Sequence, residues 1–169
     1  MMKTPVLIVP VKAKYIPGLR QALDQVARET KYLLALKAPS LGEYRKTTLR
    51  KLKNKETYFI ALDGQKVVGW CNIRPDDRIG TGHIGLLYMG VLKPYRRRGI
   101  GKGLLEESLR HAKEVRRYET VQLEVYASNK GAIGLYRKFG FKWDGLRKKA
   151  RKYKGKYEDI ALMSKVLRK

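Results

Sequence analysis

A basic, glycine-rich turn stands between a strand pattern and a helix pattern, and its residue types suit the binding of phosphate. The turn reads Arg96-Arg97-Arg98-Gly99-Ile100-Gly101-Lys102-Gly103. The preceding residues, 86 to 92, are apolar enough for a strand buried on both faces, which Pro94 ends. The residues that follow place apolar side chains at helical spacing. Free amides in the first turn of a helix, the helix dipole and nearby arginines together attract an anion.

Two common phosphate-binding loops do not fit this turn. A Walker loop requires Ser or Thr after its lysine, whereas Gly103 follows Lys102 here. A dinucleotide fingerprint requires a third glycine, and Leu104 occupies that place. The pattern that fits is Arg-x-x-Gly-x-Gly, which begins at Arg96.

A second stretch with candidate catalytic residues, LEVYASNKGAIGLYRKFGF, spans residues 123–141. It begins as an alternating strand that turns Glu124 away from the face of its apolar neighbours. Asn129 then precedes a short helix pattern that contains Tyr136 and ends at Gly140 as residue C′. An acid on a central strand is costly unless it is paired or functional. Glu124 is therefore either a catalytic group or the partner of one of the many lysines.

The composition is that of one globular domain, residues 1–169, with a large excess of positive charge. Apolar residues make up 43% and charged residues 32% of the sequence, and the formal net charge is +24. Such a charge favours an anionic partner, for example coenzyme A, RNA or the surface of a ribosome. Cys71 is the single cysteine, which excludes an internal disulfide and fits a reducing cytoplasm. Its apolar neighbours indicate a buried side chain rather than a nucleophile.

The sequence has neither an export pattern nor a membrane-spanning pattern. The apolar run at residues 5–11 is too short and contains proline, and no small-residue cleavage site follows it. We therefore expect a cytoplasmic protein without membrane contact. The sequence also predicts no metal site, and it leaves the oligomeric state open between monomer and homodimer.

The periodicity predicts an α/β fold with a mixed, mostly antiparallel central sheet and helices on both faces. Its elements follow the order strand, two helices, three strands, helix, strand, helix, two strands. Hairpin signals at Asp63-Gly64 and around Gly155 predict antiparallel pairs. The strand–helix–strand unit around residues 86–126 adds a crossover. Ser40 and Glu43 have capping-box spacing at the start of the second helix.

Together the two stretches resemble the signatures of the GCN5-related N-acetyltransferase (GNAT) superfamily. The pattern at Arg96 resembles its diphosphate-binding motif, and residues 123–141 resemble its second signature, which ends Gly-Phe. The segments LEV-x-ASN and AI-x-LY are most similar to ribosomal-protein alanine N-acetyltransferases, as is the segment 157–163. Residues 29–53 depart from that subgroup, which leaves the acceptor substrate open.

The resemblance implies acetyl-CoA as co-substrate and direct transfer of the acetyl group to an amine. By position, Tyr136 is the acid that protonates the departing thiolate; its alternative role is a core aromatic packed under Phe139 and Phe141. Glu124 is the candidate base, acting through a water. Many members carry a glutamate on the preceding strand, where this chain has Gly85.

The resemblance also implies a set of cofactor contacts. Backbone groups of residues 89–91 are expected to meet the acetyl and pantetheine amides, with a bulge at Gly90 that frees them. Asn129 is expected either to contact the cofactor arm or only to cap its helix. The residues expected to bind acetyl-CoA are Met89, Val91, Arg96, Arg97, Arg98, Gly99, Ile100, Gly101, Lys102, Asn129, Ala132 and Tyr136.

The acceptor is less clear from the sequence than the donor. Deprotonating a lysine at pH 7 costs about 4.6 kcal/mol, against about 1 kcal/mol for an α-amine, so a water-relayed base favours a protein or peptide N-terminus. A small-molecule amine is the alternative acceptor. Glu29 either lines the acceptor groove or is a solvated helix-end acid, and His83 is expected to be structural or exposed. The basic run 147–156 leaves a nucleic-acid-binding or ribosome-binding module as the alternative function.

Overall fold

The computed structural model describes residues 5–29, 32–33 and 35–168, which form one mixed sheet with helices packed against it. The α-helices are α1 Ile16–Arg28, α2 Leu41–Lys53, α3 Ile100–Glu114 and α4 Lys130–Lys138. The strands are β1 Leu7–Pro10, β2 Thr57–Asp63, β3 Lys66–Pro75, β4 Ile84–Val91, β5 Thr120–Tyr126, β6 Lys142–Tyr153 and β7 Lys156–Val166. This is the predicted order of elements.

The sheet has the strand order β1-β2-β3-β4-β5-β7-β6. Among the described strands every neighbouring pair is antiparallel except β4 and β5, which α3 connects. The mostly antiparallel α/β sheet is therefore confirmed. The β6–β7 hairpin turns through Lys154 and Gly155, both with positive φ (47° and 78°), as a type I′ turn requires.

The helices begin and pack as their sequences predict. The capping box of α2 is present, since Ser40 Oγ accepts from the amide of Glu43 (3.3 Å) and Ser40 N donates to the Glu43 carboxylate (3.1 Å). Helix α1 packs on β3, and α3 packs on β2 and β3. The buried face of α3 consists of Ile100, Leu104, Leu105, Ser108, Leu109 and Ala112. No helix of the described ranges is long and apolar enough to cross a membrane.

The parallel strands β4 and β5 separate after three residue pairs. Ile84, Gly85 and Leu86 pair with residues 120–122. Within the described structure, the rest of β4 has no pairing partner on β5. Beyond this point β4 stays paired with β3, and β5 stays paired with β7. The two strands therefore open a groove whose walls include backbone groups of β4 that β5 does not use.

Two glycines on β4 are required by large neighbours. A Cβ at Gly85 would lie 2.6 Å from Ile73 Cγ2, and one at Gly90 would lie 2.4 Å from the indole of Trp70. The β3–β4 register runs without a shift past Gly90, so the predicted bulge there is wrong. The backbone groups of β4 are freed by the divergence from β5 instead.

Candidate active site

The groove between β4 and β5 has a volume of about 1930 Å³ and collects most of the predicted site residues. Those that line it are Met89, Val91, Arg96, Arg97, Gly99, Gly101, Lys102, Glu124, Asn129, Ala132 and Tyr136. Two predicted residues are placed differently. The Ile100 side chain is buried in the core, and the Arg98 guanidinium lies 5.1 Å from the centre of the Tyr95 ring.

The N-terminus of α3 faces the groove with unpaired amides. Gly99 is the N-cap residue in the left-handed conformation (φ 78°), and no side chain among the described residues caps the helix. The first intrahelical bond runs from Gly103 N to Gly99 O (3.0 Å), so the amides of residues 100–102 precede it. The first turn contains no acid. These amides, with Arg97 and Lys102 beside them, form a site suited to an anion.

Arg96 is bonded within the protein at the edge of this site. Its Nη1 and Nη2 donate to the two carboxylate oxygens of Glu29 at 2.8 and 2.7 Å, and its Nε donates to the Val91 carbonyl at 2.8 Å. The guanidinium also lies 4.9 Å from the centre of the Tyr32 ring. Glu29 is thus a partly buried ion-pair partner rather than a solvated helix-end acid.

Tyr136 is packed in the core, as its alternative role predicts, and it also lines the groove. Tyr136 is 7% exposed, and the centroid of its ring lies 5.7 Å from the centroid of the Phe141 ring. The end of α4 fixes this packing, since Phe141 N donates to Tyr136 O and Gly140 N donates to Arg137 O, a Schellman motif. Burial raises the pKa of Tyr136 well above its ordinary value, so the hydroxyl stays protonated near neutral pH.

Glu124 faces the groove from β5 in an ion pair with Arg147 of β6. Its side chain is 48% exposed, so the carboxylate on this central strand is only partly removed from water. The reason is that β5 borders the open groove after it leaves β4. The salt-bridge alternative is observed, with an arginine as partner in place of a lysine. Arg147 was not predicted as a site residue, although it begins the basic run 147–156.

Asn129 and the remaining polar residues have defined roles. Asn129 caps α4, because its Oδ1 accepts from the amide of Ala132 (3.1 Å), while Ser128 Oγ instead donates to Glu158 (3.1 Å). His83 is exposed. Cys71 is fully buried, and this burial raises the pKa of its thiol to about 12, which confirms a structural role.

The opposite wall of the groove comes from residues that the sequence did not single out. Leu23 and Val26 of α1 contribute to it, as do Leu162 and Met163 of β7. Charged and hydroxyl groups are added by Arg74 at the end of β3, by Asp76 and Arg78 in the loop after it, and by Tyr88 of β4. Helical and strand periodicity placed the apolar residues in the core but gave no signal that they also border a cleft.

Comparison with known proteins identifies the family. Residues 21–141 match the Acetyltransferase (GNAT) family. This chain belongs to the GNAT family. The predicted superfamily is thereby confirmed, and members of this family use acetyl-CoA as the acetyl donor, as the resemblance implied.

Three similar proteins illustrate the match. The chain is 34% identical over 123 residues to an N-alpha-acetyltransferase of Saccharolobus solfataricus, covering 65% of this chain and 69% of that protein. It is 48% identical over 64 residues to an N-alpha-acetyltransferase of Sulfurisphaera tokodaii, covering 38% of this chain and only 37% of that relative. A GNAT-family acetyltransferase structure from Streptococcus pneumoniae superposes with a TM-score of 0.87 at 28% identity, covering 96% of this chain and 99% of that one.

Proposed function

We propose that this protein transfers the acetyl group of acetyl-CoA directly to a primary amine of a protein or peptide, with an N-terminal α-amine favoured over lysine. One observation carries the proposal. A buried, protonated tyrosine (Tyr136) and a carboxylate (Glu124) border the same groove, which also contains the free amides at the start of α3.

The donor fits one part of this groove. The amides of residues 100–102, with Arg97 and Lys102, would hold the diphosphate of coenzyme A. The unpaired backbone of β4 around Met89 and Val91 would receive the amides of the pantetheine arm. Residues 129–132 at the start of α4 border the same space. Arg96 would act mainly by holding the loop in place, since three of its N–H groups are already bonded.

The chemistry then requires two proton transfers. The neutral amine attacks the acetyl carbonyl carbon, a C–N bond forms, and the C–S bond breaks to release a thiolate. The thiolate takes the hydroxyl proton of Tyr136, which is present at neutral pH because a tyrosine hydroxyl has an ordinary pKa of about 10. The proton lost by the amine passes through a water to the Glu124 carboxylate. No acyl-enzyme intermediate is needed.

The preference for an α-amine rests on energetics and on relatives. A water-relayed carboxylate is a weak base, and a lysine amine costs about 4.6 kcal/mol to deprotonate at pH 7 against about 1 kcal/mol for an α-amine. Both archaeal relatives described above are named N-alpha-acetyltransferase. The single, buried Cys71 is consistent with a reaction in the reducing cytoplasm.

The testing experiment measures thiol release from acetyl-CoA with three kinds of acceptor. These are peptides with a free N-terminus, the same peptides with a blocked N-terminus and an internal lysine, and free amino acids or other small amines. We expect kcat/KM to be highest for the free N-terminus. Faster turnover of the lysine peptides would contradict the α-amine preference, and faster turnover of small amines would replace the peptide acceptor. If none of these acceptors produces thiol release, the protein is a binding module and the proposed acetyl transfer is wrong.

A further inference from the structure

The β6–β7 hairpin carries a basic and aromatic surface that lies outside the lining of the groove. We call it the hairpin surface, and it consists of Lys148, Lys149, Arg151, Lys152, Tyr153, Lys154, Lys156 and Tyr157. Strand β6 lies at the edge of the sheet, so one side of the hairpin is open to solvent. The surface begins next to Arg147, which lines the groove.

The positive charge of this surface is largely uncompensated. Within the described residues, none of Lys148, Lys152, Lys154 and Lys156 forms an ion pair. Two acids, Glu158 and Asp159, lie beside the six cations of this surface and offset only part of their charge. Glu158 accepts from Ser128 Oγ, and Asp159 accepts from the backbone amide of Lys149 at 2.7 Å.

The backbone presents these lysines outward. The β6–β7 register shifts between Arg147 and Arg151, so four steps along β6 oppose two steps along β7. Lys149 lies in this irregularity with a φ of 50°, held by its bond to Asp159. The extra residues therefore leave the ladder, and the chain carries Lys148 and Lys149 away from the sheet.

Each of the two tyrosines of the surface has two cations near its ring. Tyr157 is 52% exposed, and the ammonium groups of Lys149 and Lys152 lie 5.3 and 5.1 Å from the centre of its ring. Tyr153 has Arg151 at 5.2 Å and Lys154 at 5.6 Å. Flat aromatic faces next to phosphate-binding cations are the combination that single-stranded nucleic acids use, with bases on rings and phosphates on cations.

We propose that the hairpin surface binds single-stranded RNA, independently of acetyl transfer. The lysines follow the phosphates, and bases stack on Tyr153 and Tyr157. An acidic protein would use the same cations but would gain nothing comparable from the exposed rings. Lysines on an edge strand also prevent strands of other chains from pairing with it. That simpler role would require neither ring stacking nor selectivity for RNA.

The first test separates a defined site from net charge. Fluorescence anisotropy with a labelled 16-nucleotide oligouridylate is measured between 50 and 300 mM KCl. The hairpin variant carries Lys148→Gln, Lys149→Gln, Lys152→Gln and Lys154→Gln. The matched control removes four charges from the exposed face of α2, with Arg45→Gln, Lys46→Gln, Arg50→Gln and Lys53→Gln. Each lost phosphate contact reduces the magnitude of the slope of log K against log salt by about 0.7. This magnitude should therefore fall by about 3 in the hairpin variant and by less than about 1 in the control. Equal losses would overturn the proposal.

The second test examines stacking. Tyr157→Leu should weaken oligouridylate binding by about fivefold or more, whereas Tyr157→Phe, which keeps the ring, should bind like wild type. If the Tyr157→Leu variant binds oligouridylate as tightly as wild type, the proposal is overturned. It is also overturned if polyglutamate displaces the labelled RNA as effectively as unlabelled oligouridylate does at equal charge. Thiol release from acetyl-CoA should remain at the wild-type rate in all these variants, so the two functions can fail separately.

Discussion

Arg96 and Glu29 form a two-bond ion pair that joins the loop before α3 to the end of α1. The same guanidinium holds the Val91 carbonyl through its Nε at 2.8 Å. One side chain therefore fixes the end of β4, the turn before α3 and the end of α1. Since α1 and the described residues that follow it border the groove, the pair connects the donor side of the site to its other wall.

Glu29→Gln should damage both stability and substrate binding. The side chains of Arg96 and Glu29 are 27% and 23% exposed, and losing a charge-assisted pair of this kind should lower the free energy of unfolding by about 1–2 kcal/mol. We expect the KM of the acceptor to rise more than kcat falls, because the groove wall is loosened while Tyr136 and Glu124 remain. Urea denaturation and steady-state kinetics measure both effects. The matched control is Glu114→Gln, which breaks an exposed pair and should leave both unchanged. If Glu29→Gln has the wild-type free energy of unfolding and the wild-type acceptor KM, the ion pair does not connect the two sides of the groove.

Tyr136→Phe should separate catalysis from folding and binding. It keeps the ring against Phe141 and removes only the hydroxyl, which forms no hydrogen bond within the described residues. Loss of a general acid typically costs at least about a hundredfold in rate, so kcat should fall by roughly that factor. Calorimetry should give an acetyl-CoA Kd within about twofold of wild type. Unchanged turnover would mean that another group protonates the thiolate.

Glu124→Gln and Arg147→Gln should have different effects although they break the same ion pair. Removing the base should lower kcat about a hundredfold at pH 7 and make the remaining rate rise with pH as the free amine fraction increases. Removing Arg147 leaves the carboxylate in the groove, so most of the activity should remain. A pH–rate profile of each variant provides the measurement. Equal losses in the two variants, with the same profile, would assign a structural role to the pair.

Gly101→Asp should weaken acetyl-CoA binding without unfolding the protein. A Cβ at Gly101 would lie 3.3 Å from Leu135 Cδ2 and 3.7 Å from Met89 Cε, so the new side chain would enter the groove beside the free amides of α3. Its carboxylate would compete with the diphosphate, yet an acid in the first turn favours the helix. We expect at least a tenfold rise in Kd by calorimetry, with thermal stability close to wild type. Arg98→Glu is the control, since Arg98 lies over Tyr95, and its effect on Kd should be smaller. If Arg98→Glu raises the Kd more than Gly101→Asp does, the diphosphate does not bind at the α3 amides.

The stability contributed by Asp76 should disappear in acid. Hydrogen bonds from Arg78 lower the pKa of Asp76 from 3.8 to about 2. The folded state therefore holds the proton less tightly than the unfolded state, so the contribution is full above about pH 4 and is lost as the pH falls towards 2. Denaturation of wild type and Asp76→Asn at several pH values should show a difference that shrinks across this window. Asp77→Asn, a change at an exposed neighbour, should show no such trend. A constant difference down to pH 2 would contradict the role of Arg78.

The sequence by itself determined the features that depend on neighbours along the chain. The N-terminus of α3 follows from Gly99 and from the helical spacing that begins at Ile100, and the end of α4 follows from Gly140. The Asn129 cap and the type I′ turn at Gly155 are equally local. Caps and turns use bonds over three to five residues, and periodicity reports which face is apolar, so these features can be read from the chain directly.

Only the tertiary structure decided what the groove is made of. Arg96 and Glu29 are 67 residues apart in the chain, and Glu124 and Arg147 are 23 apart. Many arginines could have paired with either acid, because a chain with 39 basic and 15 acidic residues offers each carboxylate many partners. The divergence of β4 from β5 after Leu86 likewise has no local signal, since the strand pattern of each segment continues past this point. Long-range packing selects one pairing among many that are locally equivalent, and here that selection formed the groove.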